Sequence, residues 1–419
     1  MAAEGVRCTD FYMASPVCSP SRGALMTGCY PPRIGFASFD NGQWVAFPGN
    51  STGLNPQEVT LPGLLKSQGY ATLHVGKWHC GDQLEFLPIR YGFDHYYGIP
   101  YSNDMGRQAG RPHLPPLPLL RDDEIIQQQP DQAALTERYV EECVRFMREN
   151  RAGPFFLYLG HMYVHLPIYP PAAFLADSAN GSYGAAVACV DWAAGALFNE
   201  LKNLGLDEHT LVIFTSDNGS RGDHGGSNAP LRGRKGTCWE GGQRVACILR
   251  WPGQLPAGKV CREMWSSLDF LPSLAHLAGA DFHGTEERPI DGLDVVDVWR
   301  GQSSSPRQEF YYYLKHDLLA VRSGKWKLHL GREGKPLREL YDLEADLAES
   351  RDLADQYPEV VSRLELLAEK CREDLGDDLA GANGVACREP GRVENPKPLT
   401  QYDVSHPYMV ALYDLDDAG

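Results

Sequence analysis

The run TLVIFTSDNG, Thr210–Gly219, is a short apolar, β-branched stretch closed by Ser216, Asp217, Asn218 and Gly219. A run this short, bounded by turn-forming residues, predicts a strand buried on both faces. Three more runs have the same form: TLHVGKW (72–78), PFFLYLGH (154–161) and VACILRWPG (245–253). Helical patterns separate them: LPGLLKSQG (61–69), TERYVEECVRFMREN (136–150) and the segment 183–204. In that last segment Ala186, Val190, Ala193, Leu197, Leu201 and Leu204 recur at helical spacing. The alternation predicts an α/β fold with a large, mostly parallel sheet flanked by helices. Sites in such sheets form at the carboxyl ends of strands. Polar groups do follow the strand ends here: Lys77 and His79, His161 and His165, Asp217 and Asn218.

The chain has 419 residues, enough for a large and a small domain. A polar break, GQSSSPRQ (301–308), suggests a boundary, giving domains 1–303 and 304–419. After it FYYYL, LAVRSGKWKLHL and ELYDL read as antiparallel strands. A charged helix pattern, 358–375, and a Pro-rich tail follow, so the second domain is expected to be α+β. Residues 106–135, rich in Pro and Gln, read as a long excursion loop. No apolar stretch is long enough to predict a membrane span. The start shows no basic-then-apolar signal pattern, and AAEGV reads as the end of a helix with a glycine cap, as if the chain began mid-fold. The net charge of −16 argues against nucleic acid or an anionic membrane as main partner. The eleven cysteines form no C-x-x-C pair, which argues against zinc; most, such as Cys189, are read as buried thiols. Sequons at Asn50, Asn180 and Asn218 are short enough to arise by chance. Arg221-Gly222-Asp223 is likewise read as chance.

CSPSRGALMTG, Cys18–Gly28, places Pro20 for the first turn of a helix and Gly28 for its end. Cys18 then sits just before a helix N-terminus with Arg22 one turn on, an environment that stabilises negative charge. Read alone, this is either a buried structural cysteine or a thiolate nucleophile paired with a histidine. The stretch closely resembles the sulfatase signature, C-x-P-S-R followed by T-G. GYATLHVGKWHCG (69–81), GIPYSND (98–104), the strand and following histidine of PFFLYLGHMYVHLP, TSDNG, LRGRKGTCWEGGQRV, SSLDFLPSLAHLAGA and ELYDLEADLAESRDLA resemble further motifs of the family, the 98–104 loop that of the arylsulfatase A group.

The resemblance implies an alkaline-phosphatase-like fold and a sulfuric ester hydrolase. It implies that a maturation enzyme oxidises Cys18 to formylglycine, whose hydrate attacks the sulfur of a sulfate monoester, aryl or glycan. It implies that Arg22 holds the hydrate, that Lys77 and Lys235 bind sulfate oxygens, and that His165 protonates the leaving alcohol. His79 would orient the hydrate and take the proton that re-forms the aldehyde, and Ser102 would hydrogen-bond near the sulfate. Asp217 and Asn218, with the oxygen at position 18, would bind Ca2+. These residue types suit a dense anion that needs cations around it, an in-line nucleophile and a proton for the leaving oxygen. His161, four residues before the better match, reads as a core histidine.

The resemblance also implies an Asp-Asp metal pair on a first strand ahead of the cysteine motif. Only seventeen residues precede Cys18, and Asp10 and Asp40 do not sit in that context. The chain is therefore expected to lack that strand, leaving sheet edges exposed, together with any signal peptide. The family suggests an exported, periplasmic or lysosomal setting. Three alternatives stay open from sequence: a phosphate or phosphonate monoester hydrolase of the same superfamily, an impaired chain that binds sulfated ligands without turnover, and a thiol hydrolase using unmodified Cys18.

Overall fold

A computed structural model describes residues 1–108, 110–280 and 282–401. They form two compact units that interleave along the chain. Unit 1 takes Met1–Val45, Glu58–Leu61 and Glu208–Pro390; unit 2 takes Ala46–Gln57, Pro62–Asp207 and the chain from Gly391 on. These units cut across the expected division at 303/304. The end of the Pro-rich tail, 402–419, lies outside the described residues.

Unit 1 contains a four-stranded sheet in the order Lys259–Cys261, Val6–Cys8, Cys247–Arg250, Val212–Thr215. Val6–Cys8 is parallel to 259–261 and antiparallel to 247–250, which is antiparallel to 212–215. The sheet is therefore mixed, with 247–250 reversed. The irregular 216–246 connection contains one short helix, Glu240–Gln243, and returns the chain antiparallel to the strand it left. The predicted glycine cap at Gly5 is not one. Ala2–Glu4 is a single 3-10 turn and Gly5 is extended. Glycine is needed there because a Cβ would sit 2.1 Å from the Leu249 carbonyl oxygen.

The segment after 304 gives the expected antiparallel strands, Glu309–Leu314, Asp317–Ser323, Trp326–Arg332 and Lys335–Asp342, paired in chain order. Helix Pro358–Leu375 covers this sheet through Val361, Leu364, Leu367 and Ala368. Tyr12, Ala24 and Tyr30, which flank or lie on the Cys18 helix, share that core with Phe310 and Tyr312.

Unit 2 holds a five-stranded sheet in the order Glu124–Gln128, Pro118–Arg121, His95–Gly98, Ala71–Gly76, Phe155–Gly160. The last three are mutually parallel. The expected excursion loop 106–135 thus contains a hairpin, 118–128, that adds two antiparallel strands to this sheet. The other predicted helices are Leu61–Ser67, Leu135–Glu149 and Gly181–Asn203. Arg148 Nε donates to Glu200 Oε1 (2.6 Å), tying the last two together. His161, beyond the 155–160 strand, accepts at Nδ1 from the Tyr163 amide (3.0 Å) and meets Thr136 Oγ1 at Nε2 (3.1 Å). It is a satisfied core histidine.

Asp269 and His161 generate predictions. In SSLDF (266–270), Asp269 closes a capping box by accepting from the Ser266 amide (2.8 Å). It also accepts from the Leu293 amide (2.8 Å) and from Arg307 Nε (2.9 Å). Asp269 is fully buried and Arg307 nearly so. Asp269→Ala leaves a buried guanidinium unpaired and should cost about 3–5 kcal/mol in urea unfolding. Burial pushes the His161 imidazole down from 6.5 to about 4. Between these values the unfolded chain binds the extra proton, so this contribution is fully present above pH 6.5 and is lost as pH falls through 4. Unfolding free energy should therefore fall by about 3 kcal/mol across that window on this account, and His161→Gln should flatten the slope.

Candidate active site

Helix Cys18–Thr27 follows an extended Val17, and all ten of its residues are buried. It starts at Cys18 itself, so Pro20 lies in the first turn as expected and Cys18 is the first helical residue rather than the one just before it. Gly28 ends it in the left-handed region (φ 66°), its amide donating to the Ala24 carbonyl. The Cys18 side chain therefore lies in the first turn, at the positive end of the helix dipole. One turn on, Arg22 Nε and Nη2 both reach Asp217 Oδ2 at 2.9 Å. Ser21 Oγ donates to the Asp217 carbonyl at 2.6 Å. The strand end at Thr215 thus brings Asp217, with Asn218 next in the chain, to the Cys18 helix. Asn218 is buried; its Nδ2 donates to the Gly219 carbonyl (3.0 Å), while Oδ1 has no hydrogen-bond partner among the described residues.

The connection beyond Asn218 brings the Lys235 loop to the same place. The Lys235 amide donates to the Ser220 carbonyl (3.1 Å), and the Gly236 amide donates to the Pro16 carbonyl (2.9 Å), two residues before Cys18. The loop is anchored from behind by Glu240. That carboxylate accepts from Lys327 Nζ (3.0 Å) and Tyr312 OH (2.9 Å), and the Glu240 amide donates to Glu349 Oε2 (2.8 Å). Lys327 also reaches Glu349 (2.9 Å) and the Cys238 carbonyl (2.8 Å). Burial alone would raise the Glu240 carboxyl; Lys327, Arg322 and Arg244 outweigh it and hold the group well below the usual carboxylate range. The sequence reading missed this anchor. Its signal was the WEGG that follows the basic loop.

A cavity of about 540 Å3 beside this loop is lined by Arg221, Asn228, Arg232, Arg234, Thr237 and Trp239. The Arg232 guanidinium stacks 3.8 Å over the Trp239 ring. Arg221 is paired with Asp223 at 2.7 Å, so the Arg-Gly-Asp triplet is closed on itself.

Unit 2 gathers the other predicted residues at the carboxyl ends of its parallel strands. Lys77 follows the 71–76 strand, and its amide donates to Gly160 at the end of the 155–160 strand (2.7 Å). The amides of Trp78 and His79 donate to the Ile99 and Pro100 carbonyls beyond the 95–98 strand. This sets the Lys77–His79 turn beside the loop carrying Ser102. Lys77, His79 and Ser102 are all buried. His79 adopts φ 67°, and its Nε2 meets the Ala46 carbonyl at 3.0 Å. A non-glycine residue held there is strained backbone of the kind that functional sites retain. Ser102 Oγ has no hydrogen-bond partner among the described residues. Asn103 Nδ2 donates to the Pro167 carbonyl (2.7 Å) and to Gln132 Oε1 (2.9 Å), fastening the His165 loop. His165 Nδ1 meets the Leu166 carbonyl (2.6 Å) and lies 3.9 Å from Asp104 Oδ1. Sequence reading singled out Ser102 and missed Asn103 and Asp104 beside it.

The expected calcium site has a partial donor set. Asn218 Oδ1 is an orphaned buried oxygen on the residue that follows Asp217, a donor type that fits a hard cation. Calcium takes about six to eight oxygens. Among the described residues no group of three or more His, Cys, Asp or Glu is arranged to hold a metal. Asp217 and Asn218 therefore fit as part of a site rather than all of it.

Residues 1–280 match the sulfatase family, and residues 234–374 match the region described as N-sulphoglucosamine sulphohydrolase, C-terminal. Steryl-sulfatase of Mus musculus is 36% identical over 78% of this chain and 65% of its own length. N-acetylgalactosamine-6-sulfatase of Canis lupus familiaris is 38% identical over 78% and 65%. Arylsulfatase A of Bos taurus is 36% identical over 88% and 81%. The chain thus spans about 65% of the length of the first two relatives. Among solved structures, the PsFucS1 sulfatase from Pseudoalteromonas sp. superposes with a TM-score of 0.78 at 26% identity, over 88% of this chain and 82% of that one. Ps i-CgsB, solved with k-i-k-neocarrahexaose, gives 0.78 at 28% identity, over 88% and 85%. The phosphonate monoester hydrolase of Agrobacterium radiobacter gives 0.60 at 19% identity, over 88% and 89%, a likeness of fold alone. The fold is the alkaline-phosphatase-like α/β fold of these enzymes, and with 280 of its 419 residues matching the family, the chain belongs to the sulfatases.

Proposed function

We propose that this chain carries the catalytic machinery of a sulfuric ester hydrolase that releases inorganic sulfate from a sulfate monoester. The observation that supports it most is the Cys18 side chain in the first turn of a buried helix, with Arg22 one turn on and bound to Asp217. Once oxidised to formylglycine by a maturation enzyme, position 18 supplies the hydrated aldehyde hydroxyl as nucleophile. Asp217 and Asn218 would hold part of a calcium site, and the ion would supply positive charge to the bound anion. Arg22 keeps the Asp217 carboxylate oriented and balances its charge. Lys77 and Lys235 bind the sulfate and stabilise charge that develops on its oxygens. His165 gives a proton to the leaving alcohol, and His79 removes the proton whose loss restores the aldehyde. Ser102 donates a hydrogen bond near the sulfate. The net charge of −16 is offset locally in unit 1, where the Gly236–Pro16 hydrogen bond ties the Lys235 loop to the segment leading into the Arg22 helix. The family favours an exported, periplasmic or lysosomal setting.

The substrate we favour is a glycan sulfate. The cavity beside Lys235 is open, and its lining mixes guanidinium, amide and hydroxyl groups with the apolar faces of Pro230, Leu231 and Trp239, a surface that can hydrogen-bond an anionic sugar and pack against its ring. Relatives named N-acetylgalactosamine-6-sulfatase and a neighbour solved with k-i-k-neocarrahexaose agree with this.

Aryl-sulfate hydrolysis, measured after co-expression with a formylglycine-generating enzyme, tests the activity. Turnover should depend on added calcium and vanish in Cys18→Ala. Lys235→Ala should lower kcat/KM by about 100-fold or more while leaving the unfolding midpoint in place. Wild-type rates in either variant contradict the reading. Arg234→Ala should raise KM for a sulfated oligosaccharide about tenfold and leave KM for a small aryl sulfate unchanged. Equal effects on both substrates would remove the glycan assignment.

A further inference from the structure

Three cysteines outside the active site stand in one row. In unit 1, Cys8 is directly opposite Cys247 on one neighbouring strand and directly opposite Cys261 on the other. Directly opposed residues point to the same face of a sheet with Cβ atoms about 4.5–5.5 Å apart. All three are buried and none is in a disulfide. The Cys8 thiol interacts with both neighbours, and hydrogen bonding to Cys247 together with burial raises it far above the ordinary thiol range. The indole N–H of Trp265, buried and without an oxygen acceptor, faces the Cys8 sulfur.

The arrangement is a line, not a triangle. Cys247 and Cys261 are separated by the whole Val6–Cys8 strand, about 9–10 Å at the strand spacing. Three thiolates so placed cannot close around one metal ion, and the described residues form no such metal group. Neighbouring pairs, in contrast, have the Cα separation that a disulfide needs, about 4.4–6.8 Å. A line is also the geometry of thiol–disulfide exchange, in which nucleophile, central sulfur and leaving sulfur are collinear.

We propose that Cys8 is the shared member of an alternative disulfide pair, Cys8–Cys247 or Cys8–Cys261, formed when the chain folds in an oxidising compartment. A small-molecule disulfide such as glutathione disulfide is the oxidant. One half of it joins Cys8 Sγ and the other leaves as a thiol. The neighbouring cysteine thiolate then attacks Cys8 Sγ and expels the second half as a thiol. Two protein thiols are oxidised and one donor disulfide is reduced. The bond shifts between partners without further oxidant: Cys261 Sγ attacks Cys8 Sγ, the Cys8–Cys247 bond breaks, and Cys247 Sγ takes the proton that Cys261 lost. The Trp265 N–H stabilises negative charge on the Cys8 sulfur whenever that thiol ionises. Cys261 lies on the edge strand of the sheet, so it is the member that solvent reaches first. Either bond fastens the segment that leads into the Cys18 helix to the strands that follow the Lys235 loop.

The test is refolding of the full chain in a reduced and oxidised glutathione buffer, then alkylation under denaturing, non-reducing conditions and peptide mass mapping. The expected result is a Cys8-containing peptide linked to the Cys247 or the Cys261 peptide, with the third cysteine alkylated. Cys247→Ser should leave only the Cys8–Cys261 link, and Cys261→Ser only the Cys8–Cys247 link. Full alkylation of Cys8 in the unsubstituted chain overturns the proposal, as does a link from Cys8 to any cysteine outside the row. The mapping needs no catalytic turnover, so its outcome is independent of the sulfatase reading.

Discussion

Arg22 and Asp217 hold the chemistry of unit 1 together. Two guanidinium nitrogens converge on one carboxylate oxygen, and the Arg22 side chain is only 8% exposed. Such a charge stays buried only when paired. The pair fixes the strand end at Thr215 to the first turn of the helix carrying Cys18. Asn218 follows with its side-chain oxygen buried and unsatisfied, a cost that a cation would remove. Helix dipole, Arg22 and strand end therefore converge on one point, where a nucleophile with developing negative charge and a divalent cation suit the same surroundings.

The second constraint comes from far along the chain. Lys327 lies on the third strand of the C-terminal sheet and is completely buried between Glu240 and Glu349. Breaking one member of such a triad strands the others, so the network is stable only as a whole. Its effect is local and mechanical. It fixes residues 238–240 and, through the short turn before them, the backbone of Lys235. Residues after 304 also share a core with Tyr12, Ala24 and Tyr30, so the late sheet backs both the Cys18 segment and the Lys235 loop.

Much of this was legible in sequence because it rests on local chemistry. The four strands were visible as short apolar runs ended by turn residues, but burial on both faces holds only for Ala71–Gly76 and Cys247–Arg250; Val212–Thr215 is an edge strand with Phe214 exposed, and Phe155–Gly160 is only half-buried, because an end strand lacks a neighbour on one side. The late helix 358–375 shows its apolar face in Val361, Leu364, Ala368 and Cys371. The Cys18 helix was legible from Pro20 in its first turn and Gly28 at its end; only its first residue, Cys18, was read as lying just outside, since amides of the first turn have no intrahelical partner and leave the start loosely marked. The 118–128 hairpin was hidden because Glu124–Gln128 is exposed along its length, so it carries no buried-strand pattern. The reversed direction of 247–250, the grip of Asn103 on the His165 loop and the row of three thiols depend on register and long-range contacts, which spacing along the chain does not encode.

The chain's own residues supply a helix-borne side chain in an electropositive turn, two oxygen donors beside it, and basic groups on loops at strand ends. Everything chemical then rests on what Cys18 becomes. The most direct measurement is the mass of the Cys18 peptide after co-expression with an active formylglycine-generating enzyme, with an aldehyde-trapping reagent added in parallel. The account predicts an aldehyde at position 18, captured by the reagent and absent when the maturation enzyme is omitted. An unmodified thiol at Cys18, alkylated like any other cysteine despite active maturation enzyme, would contradict it.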